Sequence, residues 1–207
     1  MKLVLKPSFW FILKSRFQKK DFEYEFFFKG KKTLDIGCAA GEFIKQDPKL
    51  ISGIDANAEV LKPLLAKGWQ VQIAQADQLP FTNQEFEAVH CRNVIEHLEV
   101  NEAYQLLQEG TRVLREGGIF ILASEVVTEK FWDTFGHVKP YPPAAVIKLL
   151  RPQSREEFDG LADLEYVGVF YLGDYFKNKL LYLVSAMLGY YLPKWFAREY
   201  FLILRKR

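Results

Sequence analysis

The sequence predicts an α/β fold: an open, mostly parallel sheet with helices on both faces. Three observations carry this. Short apolar, strand-like runs alternate with helix-like segments through the first 125 or so residues. The first run, Leu34 to Ile36, breaks on Gly37 and Gly41, where the backbone turns sharply and leaves free N–H groups at the loop's mouth. The second, Ile51 to Ile54, ends on Asp55, an acid at the carboxyl end of a strand, where open α/β sheets bind ligands.

Length and composition bound the rest. The 207 residues suit one domain, and the 49% hydrophobic content suffices for a substantial core. A net charge of +2 is too mild to point to nucleic acid. Cys38 and Cys91 form no disulfide framework and lack zinc-ligand spacing, which fits a reducing, cytoplasmic setting. No apolar stretch is long enough to span a bilayer, and Met1 to Pro7 lacks the features of a signal peptide.

Residues 1–31 form an N-terminal cap region, and residues 8 to 32 are rich in Phe and Lys. Apolar residues at 9, 10, 13 and 17 fit one helical face, with Lys14, Arg16, Lys19 and Lys20 beside it. The plainer reading is a helix capping the ligand-binding edge of the sheet; the alternative is a basic-aromatic surface for a membrane or an acidic partner. After strand one the loop runs Asp35, Gly37, Cys38, Ala39, Gly41, followed by a helix at about Glu42 to Lys45 that Asp47-Pro48 ends. A dinucleotide fingerprint read from Gly37 would need glycine at 39 and 42, where Ala39 and Glu42 stand. Asp35 would repel a pyrophosphate and suits a ligand carrying a cationic amine. The loop resembles the first motif of the class I S-adenosylmethionine-dependent methyltransferases, with Ala39 at the usual middle glycine.

Later segments extend the resemblance. Asp55, beside Ala56, can accept from both ribose hydroxyls or cap the helix Asn57 to Lys67. Trp69 to Ala74 alternates as strand three, and Asp77-Gln78-Leu79-Pro80-Phe81 resembles the segment that holds adenine in this family. Phe86 to Cys91 reads as strand four. Val94-Ile95-Glu96-His97-Leu98 behind it resembles the family segment lining the methionine end, with Cys91 and Asn93 nearest by analogy; His90 reads as structural. In a few relatives a glutamate at the place of Asn93 completes a metal site; Glu96 and His97 alone are too few, so no metal is expected. Residues 99–115 form an amphipathic helix, and Val113-Leu114-Arg115-Glu116-Gly117-Gly118 leads through a turn into strand five at Ile119 to Ala123, a recurrent class I signature.

The resemblance covers about residues 30–125 of one domain, with 32–125 the cofactor-binding core and 126–207 the substrate side. It implies a Rossmann-like seven-stranded mixed sheet of order 3-2-1-4-5-7-6 with strand seven antiparallel. The implied cofactor is S-adenosyl-L-methionine, held by Asp35, Gly37, Cys38, Ala39, Gly41, Asp55, Ala56, Asp77, Gln78, Cys91 and Asn93. The implied reaction is methyl transfer to a small-molecule, glycan or lipid-linked acceptor, as O-methylation by in-line displacement, without a nucleic-acid partner; the alternative is a non-catalytic protein that binds the same cofactor. Loop residues Phe131 to Pro143 carry His137, a candidate general base because imidazole exchanges protons near neutrality, or else a loop histidine ordering Asp133 or a carbonyl. Trp132 and Tyr141 either shape the acceptor pocket or pack the loop. Pro143 to Leu150 reads as a helix, Glu165 to Tyr171 as strand six and Tyr200 to Arg205 as strand seven. Within 177–197, the apolar run Leu180 to Leu192 is too short to span a bilayer; it reads as internal packing or a homodimer contact, with peripheral membrane contact as the alternative.

Overall fold

The computed structural model describes residues 6–17, 21–151, 158–173 and 179–207. Lys177 and the rest of the segment before Lys179 lie outside the described residues, as do Lys19 and Lys20. Seven strands form one sheet: β1 (Thr33–Ile36), β2 (Ile51–Asp55), β3 (Val71–Ile73), β4 (Phe86–Arg92), β5 (Leu114–Glu125), β6 (Leu164–Leu172) and β7 (Glu199–Lys206), in the order β3-β2-β1-β4-β5-β7-β6. Strands β1 to β5 pair in parallel, and β7 runs antiparallel to both β5 and β6, as expected from the sequence. The helices are α1 (Phe9–Phe17), α2 (Ala58–Ala66), α3 (Val100–Val113), α4 (Pro143–Leu149), α5 (Lys179–Tyr191) and α6 (Pro193–Phe196).

Each sheet face has its own apolar layer. Leu34, Ile36 and Val89 meet Ala103, Leu106 and Leu107 of α3 on one side. On the other, Leu61 and Leu64 of α2 join Ile44 and the buried Phe27 and Phe28 of a π-helical turn, Tyr24–Phe28. Helix α3 begins on a capping box in which Glu99 and Glu102 each accept a backbone N–H of the other's turn, and its apolar residues recur at helical spacing.

Several boundaries differ from the sequence reading. The helix expected at Glu42 to Lys45 is only a 3₁₀ turn, Ile44–Gln46, because Asp47-Pro48 leaves too few residues for an α-helical nucleus. Strand β3 keeps only three of the six residues from Trp69 to Ala74. Strand β5 follows α3 directly: the expected turn at Gly117-Gly118 is a register irregularity inside the ladder, with Gly117 at φ +72°. On α1, Trp10 is exposed and Ile12 takes the buried place, beside Phe9 and Leu13.

The apolar run near the C-terminus divides between two environments. Ala186 and Gly189 of α5 are buried, Gly189 lies against Gly173 at the end of β6, and the Tyr190 hydroxyl donates to the Pro7 carbonyl at 2.9 Å. Leu181, Val184, Met187 and Tyr191 of α5, with Trp195 of α6, face outward. No helix among the described residues is long and apolar enough to cross a membrane.

Gly110 marks the closest approach of α3 to the sheet: a Cβ there would strike the Phe120 ring, whose Cζ would stand 2.9 Å away. Alanine normally gains about 1 kcal/mol over glycine in a helix, but overpacking costs about 1–3 kcal/mol. Gly110→Ala is therefore expected to lower stability, read as an earlier urea midpoint with an unchanged slope.

Candidate active site

The carboxyl ends of β1, β2 and β4 enclose a cleft of two lobes. The first, about 290 Å³, is walled by Asp55, Ala56, Ala74, Gln75, Ala76, His97 and Leu98. The second, about 260 Å³, is walled by Asp21, Glu23, Asp35, Cys38, His90 and Arg92. Gly37, Ala39 and Asn93 line both and form the partition. Gly37 lies at φ +74° and a Cβ there would collide with Val94, so only glycine lets this loop close on the turn after β4. Ala39 (φ +44°) and Asn93 (φ +55°) are left-handed without being glycine.

Asp55 ties the loop to β2. One oxygen accepts the Ala39 N–H and the other the Asn57 N–H, both at 2.9 Å. The helix cap is Asn57, which accepts from the Glu59 N–H, so Asp55 is spared for the cleft. Each Asp55 oxygen keeps acceptor capacity for a ligand hydroxyl. Just beyond the wall residues Ala74, Gln75 and Ala76, the chain is braced by Arg112 of α3, which donates to the carbonyls of Leu79 and Phe81, while Glu109 accepts the Leu79 N–H.

The second lobe rests on a chain of charges, buried at Asp35, His90 and Glu23 and half-buried at Arg92. His90 binds Asp35 through Nδ1 at 2.7 Å and reaches Glu23 through Nε2 at 3.3 Å. Glu23 accepts from Arg92 at 2.6 Å, and Arg92 forks onto both oxygens of Glu199 at 2.7 Å. The His90 ring stacks on Phe43 with centroids 4.0 Å apart. Burial works against a charged imidazole, but the Asp35 and Glu23 carboxylates outweigh it and hold His90 up to about 10. Burial likewise works against Glu23, which Arg92 and His90 hold below the usual carboxylate range. Asp35 is raised, chiefly by its burial. Four acids, Asp21, Glu23, Asp35 and Glu42, thus line this lobe against two basic side chains, His90 and Arg92, an acidic wall suited to a cationic amine.

The sequence-predicted residues fall into three groups. Gly37, Ala39, Asp55, Ala56 and Asn93 meet in the first lobe, and Asp35 and Cys38 in the second. Gly41 supports the loop from outside, packed toward Trp69 and Leu64. Asp77, Gln78 and Cys91 do not line either lobe; Ala74, Gln75 and Ala76 face the cleft from the β3 side, and Cys91 is fully buried in β4. Asp21, Glu23 and Arg92 were missed, and His90 was assigned no part in the cleft. The available signal was four charged residues in or beside otherwise apolar segments.

His137 stands on the loop after β5. Its Nδ1 meets the Phe131 carbonyl at 2.7 Å, and its ring lies 5.0 Å from that of His97. The Val138 N–H donates to the Glu96 carbonyl at 2.8 Å, pinning this loop to the turn after β4. Tyr141 packs the loop down, its hydroxyl donating to the Leu98 carbonyl at 3.0 Å, while Trp132 is exposed.

Because Glu23 and Asp35 raise the proton affinity of folded His90, the sign of one pH effect is fixed. This contribution to stability is full below about 6.5, the ordinary value, falls as pH rises, and is lost above about 10. The urea midpoint is expected to decline across that window in the natural protein. His90→Gln should flatten the decline while lowering stability at pH 7.

Comparison with known proteins agrees with this fold. Residues 34–122 match the family model described as a methyltransferase domain. An uncharacterised protein of Methanocaldococcus jannaschii is 34% identical over 89 residues, 43% of this chain and 42% of that one. Probable methyltransferase PMT5 of Arabidopsis thaliana is 34% identical over 109 residues, 48% of this chain and 18% of that one. The chain thus matches less than half the length of these relatives. A crystal structure of a SAM-dependent methyltransferase from Archaeoglobus fulgidus superposes with a TM-score of 0.64 at 19% identity, covering 98% of this chain and 96% of that one. Residues 34–122 thus form a methyltransferase domain, set in a seven-stranded sheet of order β3-β2-β1-β4-β5-β7-β6.

Proposed function

We propose that this protein transfers the methyl group of S-adenosylmethionine to a hydroxyl of a small or lipid-linked acceptor. The observation that carries the reading is the two-lobed cleft: Asp55 offers acceptors for ribose hydroxyls in one lobe, and Asp21, Glu23 and Asp35 offer negative charge for an amino-acid end in the other. Bound there, S-adenosylmethionine supplies a sulfonium methyl that is already a strong electrophile. The chain's own task is then to orient the two partners and keep water out, which supplies most of the acceleration in such a reaction.

His137 is the proposed proton acceptor. In the neutral tautomer assigned by its hydrogen bond, Nδ1–H donates to Phe131 and Nε2 keeps a free lone pair. An acceptor with an apolar portion suits the surface beyond β5. A groove of about 390 Å³ touches Val126, Tyr171 and Trp195, and a second of about 520 Å³ runs along Leu181, Val184 and Leu188. The outward apolar face of α5 suits contact with a bilayer surface or a second copy of the chain.

Calorimetric titration with S-adenosylhomocysteine is expected to show micromolar binding that Asp55→Ala removes, while NAD gives no signal; the reverse preference would overturn the reading. Given an acceptor found by transfer of labelled methyl from S-adenosylmethionine, His137→Gln should lower kcat by about 100-fold or more and leave S-adenosylhomocysteine affinity unchanged. Binding without transfer to any small or lipid acceptor would indicate a non-catalytic binding protein.

A further inference from the structure

The sequence presents Glu96 and His97 as an isolated pair, but the fold adds a third group. Glu96 and His97 sit on a 3₁₀ turn after β4, and His137 arrives from the loop after β5. One ligand atom from each of the three side chains lies within 4.8 Å of the others. Both imidazoles are already oriented: His97 meets the Gly136 carbonyl at 2.8 Å through Nδ1, and His137 the Phe131 carbonyl at 2.7 Å through its own Nδ1. A carbonyl can only accept, so each Nδ1 carries the hydrogen and each Nε2 keeps its lone pair. Carbonyls that fix the tautomer in this way are the usual outer partners of metal-bound histidine.

Glu96 supplies the second, independent observation. Its residue is 0% exposed. One carboxylate oxygen accepts from the Ser124 hydroxyl at 3.0 Å, while the other, Oε1, is buried with no hydrogen-bond partner. An unsatisfied buried carboxylate oxygen is costly. A cation held between it and two histidine nitrogens would satisfy all three groups at once.

We propose that Glu96, His97 and His137 form a binding site for a divalent first-row transition ion, with zinc the best match to two imidazoles and one carboxylate. Ligand atoms on a tetrahedral zinc stand about 3.3 Å apart, from bonds of about 2.0–2.1 Å, so small side-chain rotations close the present arrangement. Three protein ligands leave a coordination position for an oxygen donor from outside, a hydroxyl or a carboxylate. His97 also lines the first lobe of the cleft, which places this ion beside the proposed cofactor pocket. A His137 nitrogen that holds an ion no longer accepts a proton, so the loaded and ion-free forms differ in where an acceptor's proton goes. The metal site itself does not depend on methyl transfer, and its test does not measure it.

The test uses the full chain, stripped with a chelator and titrated separately with zinc and cobalt(II). The expected result is one ion per chain and a higher melting temperature. The cobalt form should show ligand-field bands without thiolate charge transfer, which sets Cys38 and Cys91 aside. Glu96→Gln and His137→Ala should each weaken binding by at least about 100-fold, beyond the 10–100-fold typical of outer-shell changes. His97→Ala, at an exposed side chain, gives the same reading where a buried substitution disturbs folding. Retained S-adenosylhomocysteine binding by Glu96→Gln and His137→Ala, which do not line either lobe, would show that the cleft is intact. Absence of stoichiometric binding in the natural protein, or binding that survives His97→Ala and His137→Ala, would overturn the proposal.

Discussion

The charge chain Asp35–His90–Glu23–Arg92–Glu199 is the interaction on which the rest of the site depends. It joins four separate parts of the molecule: β1, β4, β7 and the segment preceding the Tyr24–Phe28 turn. Paired charges such as these do not gain much over a well-packed apolar cluster, but loss of a buried member, Asp35, His90 or Glu23, leaves a neighbour charged and dry, at about 3–5 kcal/mol; Arg92, more than a third exposed, is partly screened by water. The arrangement therefore specifies more than it stabilises. Glu23 can satisfy His90 and Arg92 only when the N-terminal segment lies across the loop after β1, so the wall of the second lobe and the order of the sheet are set together.

The partner of this electrostatic wall is a brace on the other side. Glu109 and Arg112, three residues apart on α3, hold Leu79 and Phe81 by their backbone groups. The connection after β3 lacks regular structure, so its backbone bonds must go elsewhere, and α3 receives them. The cleft is thus held by a charge chain at one end and a helix-mounted arginine at the other, with Gly37 and its neighbours between.

The legible part of the sequence was its local part. Leu34–Ile36, Gly37 and Gly41 declare a strand and a turn, and Asp55 an acid at the end of the next strand; the sheet order came from the family resemblance that these motifs carry. What was not legible depends on separation. Glu23 meets His90 across 67 positions and Arg92 meets Glu199 across 107; nothing in either neighbourhood announces the other. The same holds for His137, whose approach to Glu96 and His97 depends on how the loop after β5 is pinned by Val138. Trp10 was misplaced for a different reason: α1 has apolar residues nearly all round, so periodicity cannot choose between Trp10 and Ile12 as its inward side.

Ala39 has a consequence for how such proteins are recognised. Its backbone occupies the left-handed region, at φ +44°, that glycine enters without penalty, and it does so while its N–H is held by Asp55. Alanine is tolerated there because its single methyl group is the smallest departure from glycine; a branched side chain would add crowding to strain. What persists at this place is the dihedral angle and the hydrogen bond, and the letter in the sequence is secondary. A search pattern that insists on glycine at the centre of the loop would pass over this chain even though the backbone it stands for is intact.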